Sequence, residues 1–225
     1  MSEAEMVHAR ERGHEPELKH HFDDPDQQLD SSTLGMWVFL LTEVMFFGGM
    51  FAGYTIYRNT YPDAFASTSR FMNLAIGSIN TAVLIFSSFT MVLAVRSAQL
   101  GRKKALIGFL VITLFLGLVF LGLKGVEYHE KWVDHHIPGP GFRYEEPQYF
   151  HQAQILFFLY FAMTGLHALH MVVGVGLLVT LIAMAARNRF SAHWFTPIEM
   201  VGLYWHFVDI VWIFLFPLLY LIGRT

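Results

Sequence analysis

Cysteine is absent from this sequence. Disulfide frameworks, thiolate metal sites and cysteine nucleophiles are therefore excluded. Charge is scarce as well: Asp, Glu, Lys and Arg make up 15% of the 225 residues, against roughly a quarter in an average soluble domain. The net charge of −3 offers no basic footprint, so nucleic acid is not expected as a partner. No internal repeat is visible, and the first thirty residues contain no apolar h-region of the kind that marks a cleaved secretory signal. What remains is 54% hydrophobic, 16% aromatic and has a mean hydropathy of +0.43. That balance describes one integral membrane unit.

Residues 1–33 read as a polar tail rich in acid and His, with His8, His14, His20 and His21 too irregularly spaced to suggest anything but solvated surface. Residues 34–225 read as a transmembrane domain. Five apolar stretches, near 34–57, 71–95, 105–127, 153–186 and 198–222, are each long enough to cross a hydrocarbon core that requires about 20 helical residues. β-Barrel spans would be nearer ten residues with strict alternation, so an all-α bundle of five transmembrane helices is the expected fold. Lys and Arg set its orientation. Nine lie in the tail and the second and fourth connections, whereas Arg58, Arg70, Lys124, Lys131, Arg143 and Arg224 fall on the other side. The positive-inside rule then places the N-terminus in the cytoplasm and the C-terminus outside. The long connection from 127 to 152 has a Pro-Gly-Pro-Gly centre that forbids a continuous helix, and it should cap the outer face. His129 and Glu130 within it form half of a zincin motif, but no His stands at position 133.

An ionisable group at the middle of a span costs about 2.5–3.5 kcal/mol, so each one needs a partner or a task. Glu43 lies some ten residues into the first span, about 15 Å along its axis. It reads either as a proton-linked carboxyl or as a neutral tie between helices. Glu127 and Glu199 stand near span ends. His167 and His170 are three apart in the fourth span, as are His206 and Asp209 in the fifth, so each pair shares a helix face. Three imidazoles facing a bundle interior raise haem or copper ligation, but no two are placed as a known ligand set, and hydrogen-bonded struts between helices are the simpler reading. Gly49 and Gly53 stand in GxxxG register, and Gly174 and Gly176 thin the fourth helix, which suggests close packing.

Five blocks, taken together, resemble a known family: "EVMFFGGMF" (43–51), "NTAVLIFSSFTM" (80–91), "GVEYHE" (125–130), "TGLHALHMVVG" (164–174) and "YWHFVDIVWIFLFPL" (204–218). They resemble subunit III of the haem-copper cytochrome c oxidases and leave only the polar tail uncovered. The resemblance implies an accessory chain with no catalytic residue, metal or redox cofactor of its own. It would pack against the haem- and copper-bearing catalytic subunit I, with subunit II and a small subunit nearby, in an oxidase that reduces oxygen to water and pumps protons. Such a subunit supports proton uptake, stability and phospholipid binding. The family's intramembrane carboxyl falls on Glu43, its polar bundle residues on Glu127, His167, His170, His206 and Asp209, and its lipid-phosphate contact on Arg187. The commonest members have seven spans, and this chain has no counterpart of the first two. The lipid cleft of the longer form would therefore need a second wall from another subunit. Five-span forms point to a bacterial plasma membrane. A quinol oxidase or nitric oxide reductase subunit shares these blocks, and membership of a respiratory supercomplex stays open. From other classes, a membrane haem protein predicts its own haem spectrum, and a transporter predicts paired repeats and interrupted helices.

Overall fold

The computed structural model describes residues 24–69, 71–144, 146–191 and 194–221. The first 23 residues, with the four tail histidines and Arg10, Arg12 and Lys19, lie outside the described residues, as do Arg70 and Arg224. Among the described residues six α-helices follow one another: α1 (Pro25–Thr60), α2 (Pro62–Ser69), α3 (Leu74–Gln99), α4 (Lys103–Val133), α5 (Phe150–Ala186) and α6 (Thr196–Phe216). A 3-10 turn, Pro147–Tyr149, leads into α5, and a π turn, Pro217–Leu221, continues α6. Among the described residues, all of these except the short α2 are long and apolar enough to cross a membrane, giving five spans.

Local chemistry sets the ends. Asp24 caps α1 by accepting from Gln27 N at 2.6 Å, with Pro25 at the first helical position, so the helix begins ahead of its apolar stretch. Asn73 caps α3 through Ile76 N. Gly101, at φ 66°, makes the tight α3–α4 turn that a side chain would strain, and Asn188, at φ 56°, ends α5. Helix α4 continues through Glu127 and Tyr128 to Val133, so helix occupies the first residues of the segment that reads as a long connection. The reason is one polar face: Lys124, Glu127 and Lys131 recur at helical spacing and all three are buried.

α3 and α4 form an antiparallel hairpin. α6 packs against α3, α5 and α1 and is the most buried span, while α1 is the least. The end holding the start of α1, the α3–α4 turn and the α5–α6 connection is called the near end. At the far end, the connection after α4 folds over α2 and α5. Tyr144 Oη hydrogen-bonds Ser67 Oγ (3.0 Å) and Thr68 Oγ1 (2.9 Å), and His136 stacks on Phe157 at 5.0 Å between ring centroids.

Between lipid-exposed helices the association is driven by packing and hydrogen bonds. Trp205 of α6 supplies much of the packing. A Cβ added to Gly117 of α4 would come within 2.7 Å of its ring, and one added to Gly174 of α5 within 2.9 Å. Those glycines are where three helices meet. By contrast, Cβ atoms at Gly49, Gly53 and Gly176 would meet nothing within 4 Å, so the GxxxG register of α1 makes no close helix contact among the described residues.

Candidate functional site

The polar groups of the spans fall into three levels. Toward the far end, Lys124 Nζ lies 2.9 Å from Glu127 Oε2 and donates to Tyr220 Oη at 2.7 Å, while Tyr220 Oη donates to Glu127 Oε1 at 2.6 Å. These three side chains form a closed ring of hydrogen bonds. Aromatic faces surround the ammonium: Trp212 at 4.6 Å and Tyr160 at 5.3 Å from ring centroid to Nζ. All of these residues are buried, so the charge is compensated by the carboxylate and by π faces in place of water. One and two turns further along α4, Tyr128 Oη bonds Thr164 Oγ1 at 2.6 Å, and Lys131 Nζ donates to the Phe71 carbonyl.

At the middle level, His170 Nε2 of α5 lies 3.2 Å from Glu43 Oε2 of α1. Its Nδ1 lies 2.8 Å from the Leu166 carbonyl, which only accepts, so Nδ1 carries a proton. The contact between Nε2 and Glu43 therefore holds one shared proton, as carboxylic acid with imidazole or as carboxylate with imidazolium. Tyr204 Oη donates to the His170 carbonyl at 2.9 Å and so ties α6 to the same point. His167, one turn toward the far end, is fully enclosed. Phe120 (5.3 Å) and Trp212 (5.2 Å) flank its ring, and neither nitrogen has a hydrogen-bond partner in the protein.

Toward the near end, His206 Nδ1 of α6 lies 2.6 Å from Ser88 Oγ of α3. Asp209 is 3% exposed, its carboxylate oxygens have no hydrogen-bond partner, and Ser88 is the hydroxyl beside it. A separate group of hydroxyls pins α3 to α4 and α6: Thr90 Oγ1 with Thr113 Oγ1 (2.8 Å), and Trp205 Nε1 to Ser87 Oγ (3.1 Å).

These placements separate residues that sequence spacing pairs. His167 and His170 share a helix but not a site, since one is walled in by rings and the other faces α1. His206 and Asp209 do share a face, and Ser88 of another helix stands between them in place of a direct bond. Arg187 is exposed at the C-cap of α5. Lys124, Tyr160, Tyr220 and Ser88 escape sequence reading. Lys124 counts there as a connection cation, although its i, i+3 spacing to Glu127 is a usable signal. No spacing identifies the hydroxyls, because only packing brings them in. Among the described residues no three His, Asp or Glu side chains converge as a metal site would require.

The polar levels can be set beside known proteins. The family model described as "Cytochrome c oxidase subunit III" matches residues 140–224. The chain is 31% identical over 203 residues to the "Cytochrome c oxidase subunit 3" of Thermostichus vulcanus, covering 90% of this chain and 92% of that protein. It is 29% identical over 207 residues to the "Cytochrome bo(3) ubiquinol oxidase subunit 3" of Pseudomonas aeruginosa, covering 92% of each.

Proposed function

The chain belongs to the cytochrome c oxidase subunit III family, and on that premise we propose that it is the accessory, cofactor-free subunit of a bacterial respiratory haem-copper oxidase. Haem and copper reside in the partner subunits, I above all, and this chain braces subunit I within the plasma membrane. The observation that carries this reading is the dispersal of its imidazoles among separate contacts within the bundle. His170 is engaged at both nitrogens, by Leu166 and Glu43; His206 is held at Nδ1 by Ser88; His167 is sealed between Phe120 and Trp212. A haem iron or copper ion draws its ligands together on one space, whereas these imidazoles serve three separate contacts. These side chains are struts, and Glu43 is the proton-linked carboxyl among them. Because one proton is shared across Glu43 and His170, the pair stays neutral overall however that proton moves.

Orientation follows from charge. Lys124 and Lys131, two of the six cations assigned outside, are buried in α4. Their removal from the exposed count steepens the bias that puts the near end, with Arg102, Lys103, Lys104, Arg187 and Arg189, in the cytoplasm. Arg187 then stands at the depth of phospholipid headgroups, where it binds lipid phosphate.

Purification through a tag on this chain in mild detergent tests the assignment. The expected result is a coloured complex containing a haem-copper subunit, with Glu43→Gln leaving its haem bands unchanged. A haem spectrum in the isolated chain, or a colourless monomer competent in transport, overturns it. The electron donor separates cytochrome c oxidase from quinol oxidase: oxygen uptake by the purified complex with each donor decides between them.

A further inference from the structure

At the near end, α1, α3 and α6 enclose a groove of about 440 Å³, within the range of about 300–1,000 Å³ typical of small-molecule sites. Val92, Val95, Met200 and Leu203 make its walls apolar, and the His206 ring lies at its inner end. The mouth is polar but compensated. Arg96 Nη1 reaches Gln99 Oε1 at 3.5 Å, and Gln99 Nε2 reaches Glu199 Oε1 at 3.3 Å, so one cation and one anion are joined through an amide. A phosphate would meet Glu199 as well as Arg96. Its chemistry suits a neutral polar ring on an apolar tail.

The inner end carries the rest. Ser88 holds His206 at Nδ1, which leaves Nε2 for the groove. Two tautomers of His206 satisfy that contact. In one, Nδ1–H donates to Ser88 Oγ, and Nε2 accepts from a hydroxyl in the groove. In the other, the Ser88 hydroxyl donates to Nδ1, and Nε2–H donates to a carbonyl. A ligand whose head alternates between hydroxyl and carbonyl fits both. We infer that the groove between α1, α3 and α6 binds an isoprenoid quinol or quinone, its head against His206 and its tail along Val92 and Val95.

The inference concerns a ligand of this chain and stands apart from the bracing role. Failure of the chain to purify with a haem protein counts against that role, whereas the outcome below counts against the groove. The intact purified complex is illuminated with a short-chain azido-quinone, digested and mapped by mass spectrometry. Label is expected on peptides containing Val92–Gln99 or Glu199–His206. Unlabelled decyl-quinol should compete it away, while the same concentration of a neutral diacyl phospholipid should not. Ser88→Ala and His206→Phe should each weaken labelling about tenfold, the scale of one lost hydrogen bond to a buried partner. Ser88→Ala keeps the helix contacts of α3 and serves if His206→Phe unseats α6. Label confined to other subunits, competition by phospholipid as strong as by quinol, or labelling indifferent to Ser88→Ala each overturns the inference.

Discussion

Replacing Lys124 with Met tests whether the far-end cluster is a true ion pair. At 2.9 Å, two unit charges attract by about 6 kcal/mol for an effective dielectric of ~20. Desolvation of both groups opposes that gain, so the pair as a whole adds little relative to apolar side chains of the same size. Removing only the cation is different. Glu127 keeps the Tyr220 hydroxyl at 2.6 Å but loses its countercharge in a site without exposed surface. The expected cost of Lys124→Met is about 3–5 kcal/mol, as for other buried pairs broken from one side. Glu127→Leu alone strands the ammonium, although the Trp212 and Tyr160 faces soften the loss. The double variant Lys124→Met/Glu127→Leu strands no charge, so its cost should fall below that of either single change. The resulting coupling energy should reach about 2 kcal/mol or more, near the upper end for residues in contact. Denaturant titration of the purified complex, following release of this chain, measures all three variants. If Lys124→Met costs under about 1 kcal/mol, only a neutral hydrogen bond was lost and the ion-pair reasoning fails. A double variant no more stable than the singles refutes it equally.

Glu43→Leu leaves His170 Nε2 without its partner and should destabilise the chain by about 1–3 kcal/mol, while Glu43→Gln stays within about 1 kcal/mol; thermal release of the chain from the complex compares them. Gly174→Ala presses a methyl to 2.9 Å from the Trp205 ring and should cost about 1–3 kcal/mol, with Trp205→Phe added in the same chain recovering part of the loss. Tyr54→Phe removes the 2.6 Å bond to the Leu218 carbonyl, so it should cost about 0.5–1.5 kcal/mol and speed amide hydrogen exchange over residues 217–221.

The number of spans is legible in the sequence because lipid enforces it. Only helices and closed barrels satisfy the polar backbone there, and runs of this length are too long for barrel strands, so apolar length counts the helices. The partners of the intramembrane polar residues are not legible. Glu43 and His170 are 127 residues apart, and nothing in either stretch names the other; only the packed bundle brings α1 against α5. Spacing misleads for His167 and His170, since neighbours three apart on a helix differ in direction by about 60°. That is enough to point one at Phe120 and Trp212 and the other at α1. The extension of α4 past Leu123 has a related cause. Apolar content stops at Lys124, but backbone hydrogen bonding continues wherever tertiary partners take the charge. Tyr220 and Phe71 supply those partners from elsewhere in the chain, beside Glu127 on α4 itself.

The three polar levels also explain how α1, the least buried span, is held. Its apolar face toward the bundle is narrow: Leu40, Phe47 and Tyr54 are its buried large side chains, one every seven residues. That spacing defines a single seam, which packing alone would let slide by a turn. The polar contacts fix the register. Glu43 meets His170 near the middle of α1, and Tyr54 Oη meets the Leu218 carbonyl about three turns beyond. The second acceptor, the Leu218 carbonyl, belongs to the π turn Pro217–Leu221 that continues α6, so the bond ties α1 to the far end of that span. A slide of one turn would break both bonds at once and carry Glu43 past His170 with its carboxyl unpartnered. A polar pair that contributes little net energy to the bundle can therefore still decide which of several similar packings α1 adopts.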